Sequence, residues 1–106
     1  MIAPTDLDGK NPDPSKRPHV IGNSWGFFQR VDAFDKAIKA LHAAGVFVVF
    51  AAGNEGSRCS SLRYPGQNEE VFTVGATAEK STTIVSFSSR GPAFTHKSPK
   101  PNIVAP

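Results

Sequence analysis

Val46-Phe47-Val48-Val49-Phe50-Ala51, followed without a break by Ala52-Gly53-Asn54-Glu55-Gly56, is the stretch whose reading decides the fold. Its first six residues are apolar at every position, and all but the last are β-branched or aromatic. A strand with one wet face alternates apolar and polar residues. A continuous run of this length instead predicts a central strand of a parallel sheet, covered by helices on both faces. The surrounding apolar stretch, 43–53, is far too short to cross a bilayer.

Upstream, Val31, Phe34, Ile38 and Leu41 recur at three- and four-residue spacing, which stacks them on one face of a helix over about 32–44. Lys36, Lys39 and His42 fall largely away from that face. Asp32 is the expected N-cap, Asp35 lies in the first turn where the helix dipole favours negative charge, and Gly45 sits where a left-handed residue stops a helix. Before the helix, 19–23 is a short apolar run ending in Gly22-Asn23, and reads as a strand. Strand, helix, strand in this order predicts a right-handed βαβ unit with two neighbouring parallel strands, and an α/β fold class. Downstream, 71–74 is a third strand candidate and 84–87 a fourth. Ser88-Ser89-Arg90-Gly91-Pro92 reads as a turn, 95–101 as a polar, proline-bearing stretch, and 103–105 as the start of a new apolar run. Residues 1–18 form a proline-rich lead-in loop with Pro4, Pro12, Pro14 and Pro18. No internal repeat is present.

In parallel α/β sheets, ligands bind at the carboxyl ends of the strands. Two small-residue segments follow the first two strands: Asn23-Ser24-Trp25-Gly26 and Ala52-Gly53-Asn54-Glu55-Gly56. Gly53 and Gly56 remove side-chain bulk, so that another backbone can approach. Asn54 offers two amide N–H donors on a short stem, suited to stabilising charge that develops on a substrate oxygen. A plain turn with left-handed residues would use Gly-Asn as well.

The composition admits a folded domain and excludes little else. Of 106 residues, 39% are apolar, including eight Phe, which is enough to build a core. The net charge of +3 is spread over scattered Lys and Arg, with no basic stripe interleaved with aromatics, so nothing points to a nucleic-acid partner. Cys59 is the single cysteine, so no disulfide within the chain and no Cys-based metal site is expected. His19, His42 and His96 form no metal motif. Asp6, Asp8 and Asp13 are spaced loosely like calcium-loop ligands but lack the rest of that pattern, and read as a solvated turn. No metal ligands and no cofactor site are identifiable from the residues. The start of the chain carries no signal-peptide pattern.

Read in order, the segments resemble subtilisin-like serine peptidases, the subtilase family. The resemblance is carried by Asn23-Ser24-Trp25-Gly26, Ala51-Ala52-Gly53-Asn54-Glu55-Gly56, Tyr64-Pro65-Gly66, Phe72-Thr73-Val74-Gly75-Ala76, Phe87-Ser88-Ser89-Arg90-Gly91-Pro92 and Lys100-Pro101-Asn102-Ile103-Val104-Ala105-Pro106. The opening, Ala3-Pro4-Thr5-Asp6-Leu7-Asp8-Gly9 through Lys16, is similar to the bacillopeptidase F-like branch. The resemblance implies a three-layer fold, a parallel sheet between helices, and hydrolysis of peptide bonds by a serine endopeptidase. It aligns Asn54 with the side-chain donor of the oxyanion hole. Ser24, Trp25 and Gly26 align with a strand that pairs with the substrate backbone and walls the specificity pocket, and Ala51, Ala52 and Gly53 with the opposite wall. Gly22 departs from the Asn that relatives often carry, which bears on one supporting hydrogen bond. The family often binds structural calcium, whose ligands do not map onto this sequence, and it implies a secreted or extracellular location and a polypeptide substrate.

The family's catalytic Asp, His and Ser lie in motifs of the Asp-Thr-Gly, His-Gly-Thr-His and Gly-Thr-Ser-Met-Ala type, and none occurs among these 106 residues. Residues 19–106 therefore correspond to the part of a peptidase domain between the His and Ser motifs. The chain is expected to be an internal piece, inactive by itself and dependent on the remainder of the domain. Two rivals stand beside this reading. Gly22-Asn23-Ser24-Trp25-Gly26 fits the Gly-x-Ser-x-Gly nucleophile elbow of α/β-hydrolases, with Asp32, Asp35, His42 and His96 as conceivable partners. Such an elbow should run straight into a helix, yet Phe27-Phe28-Gln29-Arg30 intervenes. The second rival is a small non-catalytic binding domain.

Overall fold

The computed structural model describes residues 1–94 and 98–106; His96 and the start of the 95–101 stretch lie outside the described residues. Four strands, β1 (Val20–Asn23), β2 (Phe47–Ala51), β3 (Phe72–Ala76) and β4 (Ile103–Ala105), form one sheet in the order β1-β2-β3-β4. Every neighbouring pair is parallel, with Val20 opposite Phe47, Val49 opposite Phe72 and Val74 opposite Ile103. The α/β fold read from the sequence is the observed one, and the run from Val46 is its second strand.

Helix α1 (Asp32–Ala43) connects β1 to β2. Its apolar stripe does the packing: Ile38 is buried with Val48, Phe50 and Val71, and Leu41 leans on the same cluster. Gly45 ends it with φ +77°, its N–H donating to the His42 carbonyl at 2.8 Å while that of Val46 donates to the Leu41 carbonyl at 2.9 Å. These two bonds are the paired closure that a left-handed glycine makes possible. The start differs from expectation. Val31, in an extended conformation, is the N-cap and makes no side-chain capping bond. Asp32 is already the first helical residue, too late for its carboxylate to cap from outside, and instead lies 3.3 Å from Arg30 Nε.

Residues 84–87 are not a strand. Ile84 makes one antiparallel bridge to Thr77, after which the Val85 N–H goes to the Ala76 carbonyl and the Ser88 N–H turns back to the Val85 carbonyl. The Phe87 carbonyl accepts from the Gly56 N–H, which ties this turn to the loop after β2. Asp6 organises the lead-in loop: one carboxylate oxygen accepts from the Asp8 and Lys10 N–H groups and the other from the Asn11 amide.

The sheet has one covered face. Val48 and Phe50 on β2 point to α1, whereas Phe47, Val49 and Ala51 point the other way. On that second face Val20 is 57%, Phe47 50% and Ile103 49% exposed. The central strand expected between two helical layers thus receives only one of them from the described residues.

Candidate active site

The register sets Asn23 beside Phe50, so the segments leaving β1 and β2 emerge side by side. Asn23 locks this edge by donating its side-chain amide to the Val49 carbonyl at 3.0 Å. Trp25 is held by aromatic neighbours from β2 and α1, with its ring 4.9 Å from Phe50 edge-on and 5.3 Å from Phe34. A third segment folds over both strand ends. The Phe27 N–H donates to the Tyr64 carbonyl at 2.7 Å, and the Arg63 N–H to the Ala52 carbonyl at 2.9 Å.

Between these segments lies a cleft of about 220 Å³, lined by Ser24, Trp25, Gly26, Phe28, Ala51, Gly53, Asn54, Glu55 and Arg63. Of the residues singled out from the sequence, Ser24, Trp25, Gly26, Ala51, Gly53 and Asn54 share this cleft. Ala52 does not: its side chain is 2% exposed and packs away from the cleft against Leu62 and Ala93.

Asn54 is exposed at the rim, and its side-chain amide has no hydrogen-bond partner among the described residues. Its backbone, by contrast, is fixed. The Asn54 N–H donates to Glu55 Oε2 at 3.0 Å, which also accepts from Ser89 Oγ at 3.2 Å and forms an ion pair with Arg63 Nε at 2.5 Å. The Arg63 guanidinium, first by its hydrogen bond, holds the Glu55 carboxyl below the usual carboxylate range. Gly53, at φ +108°, makes room for this assembly: a Cβ there would lie 2.5 Å from Arg63 Cγ and 2.8 Å from Glu55 Oε2. The bulk missing at Gly53 is therefore taken by the chain's own side chains. At Gly56 it is taken by the backbone of Ser86 and Ser88.

Arg63, Glu55 and Phe28 went unread as cleft residues. Glu55 stood inside a quoted motif, but nothing in sequence spacing signals that the segment carrying Arg63 returns over the end of β2. A second cavity of about 240 Å³ beside α1 is lined by Arg30, Asp35, Tyr64, Asn68 and others. There Asp35 accepts from Tyr64 Oη and Asn68 Nδ2, both at 2.6 Å, and pairs with Arg30. Burial pushes the Asp35 carboxyl up, but its bonds from Tyr64 and Arg30 outweigh this and hold it below its ordinary value. These groups satisfy one another, and this cavity joins α1 to the Tyr64 segment.

Among the described residues the cleft lining includes no histidine, and its one carboxylate, Glu55, is engaged by Arg63, Ser89 and the Asn54 N–H rather than by Ser24. No helix follows Gly26 directly, since α1 begins only at Asp32. Both facts disfavour the α/β-hydrolase reading. Among the described residues no three His, Cys, Asp or Glu side chains converge as a metal site would require.

The parallel sheet thus carries an uncommitted amide donor at the carboxyl edge of its second strand, and comparison with known proteins identifies the family. The Subtilase family model matches residues 6–106, and the chain belongs to that family. The match begins within the lead-in loop. Among curated relatives, Bacillopeptidase F of Bacillus subtilis is 35% identical over 100% of this chain and 8% of its own length. Serine protease AprX of the same organism is 39% identical over 74% of this chain and 19% of its own length. The chain thus spans less than a fifth of either relative. A psychrophilic protease matches in structure with a TM-score of 0.70 at 31% identity, over 82% of this chain and 31% of that one. Sphericase matches with a TM-score of 0.62 at 28% identity, over 72% of this chain and 26% of that one.

Proposed function

We propose that this chain supplies the oxyanion donor and one substrate cleft of a serine endopeptidase, working within a larger catalytic domain that brings the nucleophile and its base. The observation that carries the reading is Asn54: its backbone is held by Glu55, and its side-chain amide is left uncommitted at the rim. A donor fixed in this way gains strength when a carbonyl oxygen turns into an oxyanion, and costs no reorganisation at that moment. Ser24–Gly26 lies across the cleft as an exposed segment able to pair with an extended peptide backbone. The substrate is a polypeptide. No helix among the described residues is long and apolar enough to cross a membrane. A secreted location rests on the family resemblance, against which one relative of Paenibacillus polymyxa bears the name intracellular serine protease; fractionation of the producing cells decides it.

In a complete catalytic domain containing this chain, Asn54→Ala should lower kcat and leave KM nearly unchanged, because the bond is weak to the ground-state carbonyl. The loss should be about 100- to 1000-fold, the size known for removing such a donor from subtilisin, itself a subtilase. An unaffected kcat would remove Asn54 from the chemistry.

A further inference from the structure

The floor of the cleft is an ion pair whose two halves are unequally committed. Glu55 Oε2 has three donors, from Arg63, Asn54 and Ser89. The Arg63 guanidinium spends its Nε on Glu55 and one face on the Phe28 ring, whose centroid lies 3.0 Å from the guanidinium carbon. The two terminal nitrogens of Arg63 have no hydrogen-bond partner among the described residues. The arginine stem is seated between the two glycines of the opposing walls: a Cβ on Gly26 would lie 2.8 Å from Arg63 Cβ, and one on Gly53 2.5 Å from Arg63 Cγ. The side chain is only 11% exposed, so it occupies one position rather than sweeping through solvent.

A guanidinium presents its donors in a planar fork that fits two oxygens side by side, and it cannot be deprotonated. Here the fork is pre-oriented by Glu55 and Phe28, with its outer donors left over in a partly dry cleft. Such donors lose hydration when a peptide enters, and that loss is recovered only by a side chain bringing an acceptor. Aspartate and glutamate bring two oxygens, and asparagine and glutamine bring one. Lysine and arginine bring like charge and no acceptor.

We propose that Arg63, positioned by Glu55 and Phe28, selects peptides whose cleft-seated residue carries a side-chain oxygen acceptor, Asp, Glu, Asn or Gln, and rejects basic residues there. This rests on the peptidase reading and adds the substrate class to it. Glu55 plays a second part by anchoring the Asn54 backbone, so the selectivity is tested at Arg63.

The test uses the complete catalytic domain and a peptide series identical except for Glu, Gln, Leu or Lys at the cleft-seated position. In the wild type, kcat/KM for Glu and Gln should exceed that for Lys by about tenfold or more, the size of one charge-assisted hydrogen bond. Arg63→Met should erase the difference, and Arg63→Lys should keep its sign at reduced size, because charge remains without the fork. Fluorophosphonate labelling at the wild-type level shows that a variant is folded; if Arg63→Met fails it, the wild-type and Arg63→Lys profiles decide. Equal or better cleavage after Lys in the wild type overturns the proposal, as does a labelled Arg63→Met variant that keeps the wild-type ratio. If the domain takes no label and cleaves no peptide of the series, the peptidase reading fails and this inference with it. Cleavage with a flat profile defeats the inference alone.

Discussion

Glu55 joins the two tasks of the cleft, since one of its oxygens anchors the Asn54 backbone and also holds Arg63. Its titration follows from that geometry. The folded pKa is lowered from the ordinary 4.5, chiefly by the Arg63 hydrogen bond. A depressed carboxyl contributes stability that is present above its unfolded value and lost as pH falls through the folded one. The pair should therefore persist at pH 4.5 and come apart only below it. Carboxyl-resolved NMR titration of the folded domain should place Glu55 below 4.5, and Arg63→Met should move it upward; a midpoint at or above 4.5 in the wild type would contradict the geometry. At this scale the sequence was readable where chemistry and chain position coincide. Asn54 and Ser24–Gly26 follow strands directly, and strand ends are where sites form. Arg63 was hidden because its place depends on a long-range backbone bond to Ala52, which spacing does not encode. Ala52 stands between two wall residues in the sequence, yet along an extended segment adjacent side chains point in opposite directions, and it is buried on the other side.

Elements were legible where a repeating pattern meets a clear stop. α1 shows both, with Ile38 and Leu41 on the core side and Gly45 closing the helix. Gly45 has no atom within 4 Å of where a Cβ would stand, so what it provides is backbone freedom and not space. Gly45→Ala should then cost about 1 kcal/mol, from the left-handed conformation alone. Gly45→Asn should cost less, because asparagine tolerates that region. Urea unfolding of the complete domain reads both; an unchanged or raised midpoint for Gly45→Ala would show that the helix end relaxes into another closure. The helix start departs from its sequence pattern because Asp32 has capping chemistry one residue too late, and Asp35 serves Tyr64 and Asn68 across the fold. Residues 84–87 have strand-like side chains, but their backbone groups are used in a turn and in a bond to Gly56. Apolar character alone does not report where backbone hydrogen bonds go.

The molecule as a whole is a four-stranded parallel sheet with one covered face, a cleft at its carboxyl edge, and no catalytic triad motif in its 106 residues. Its open face, with Val20, Phe47 and Ile103 each about half exposed, is an apolar patch of the kind that a further layer covers in larger α/β domains. Oxyanion stabilisation and substrate positioning assist a nucleophile and cannot replace it. The central claim, that this chain assists a serine carried elsewhere in a subtilase catalytic domain, is tested most directly by locating that serine. The complete domain is treated with a fluorophosphonate, digested, and the modified peptide identified by mass spectrometry. The account predicts one labelled serine outside residues 1–106, with Ser24 unmodified and the isolated chain unlabelled. A label on Ser24, or on any serine within residues 1–106, would contradict it.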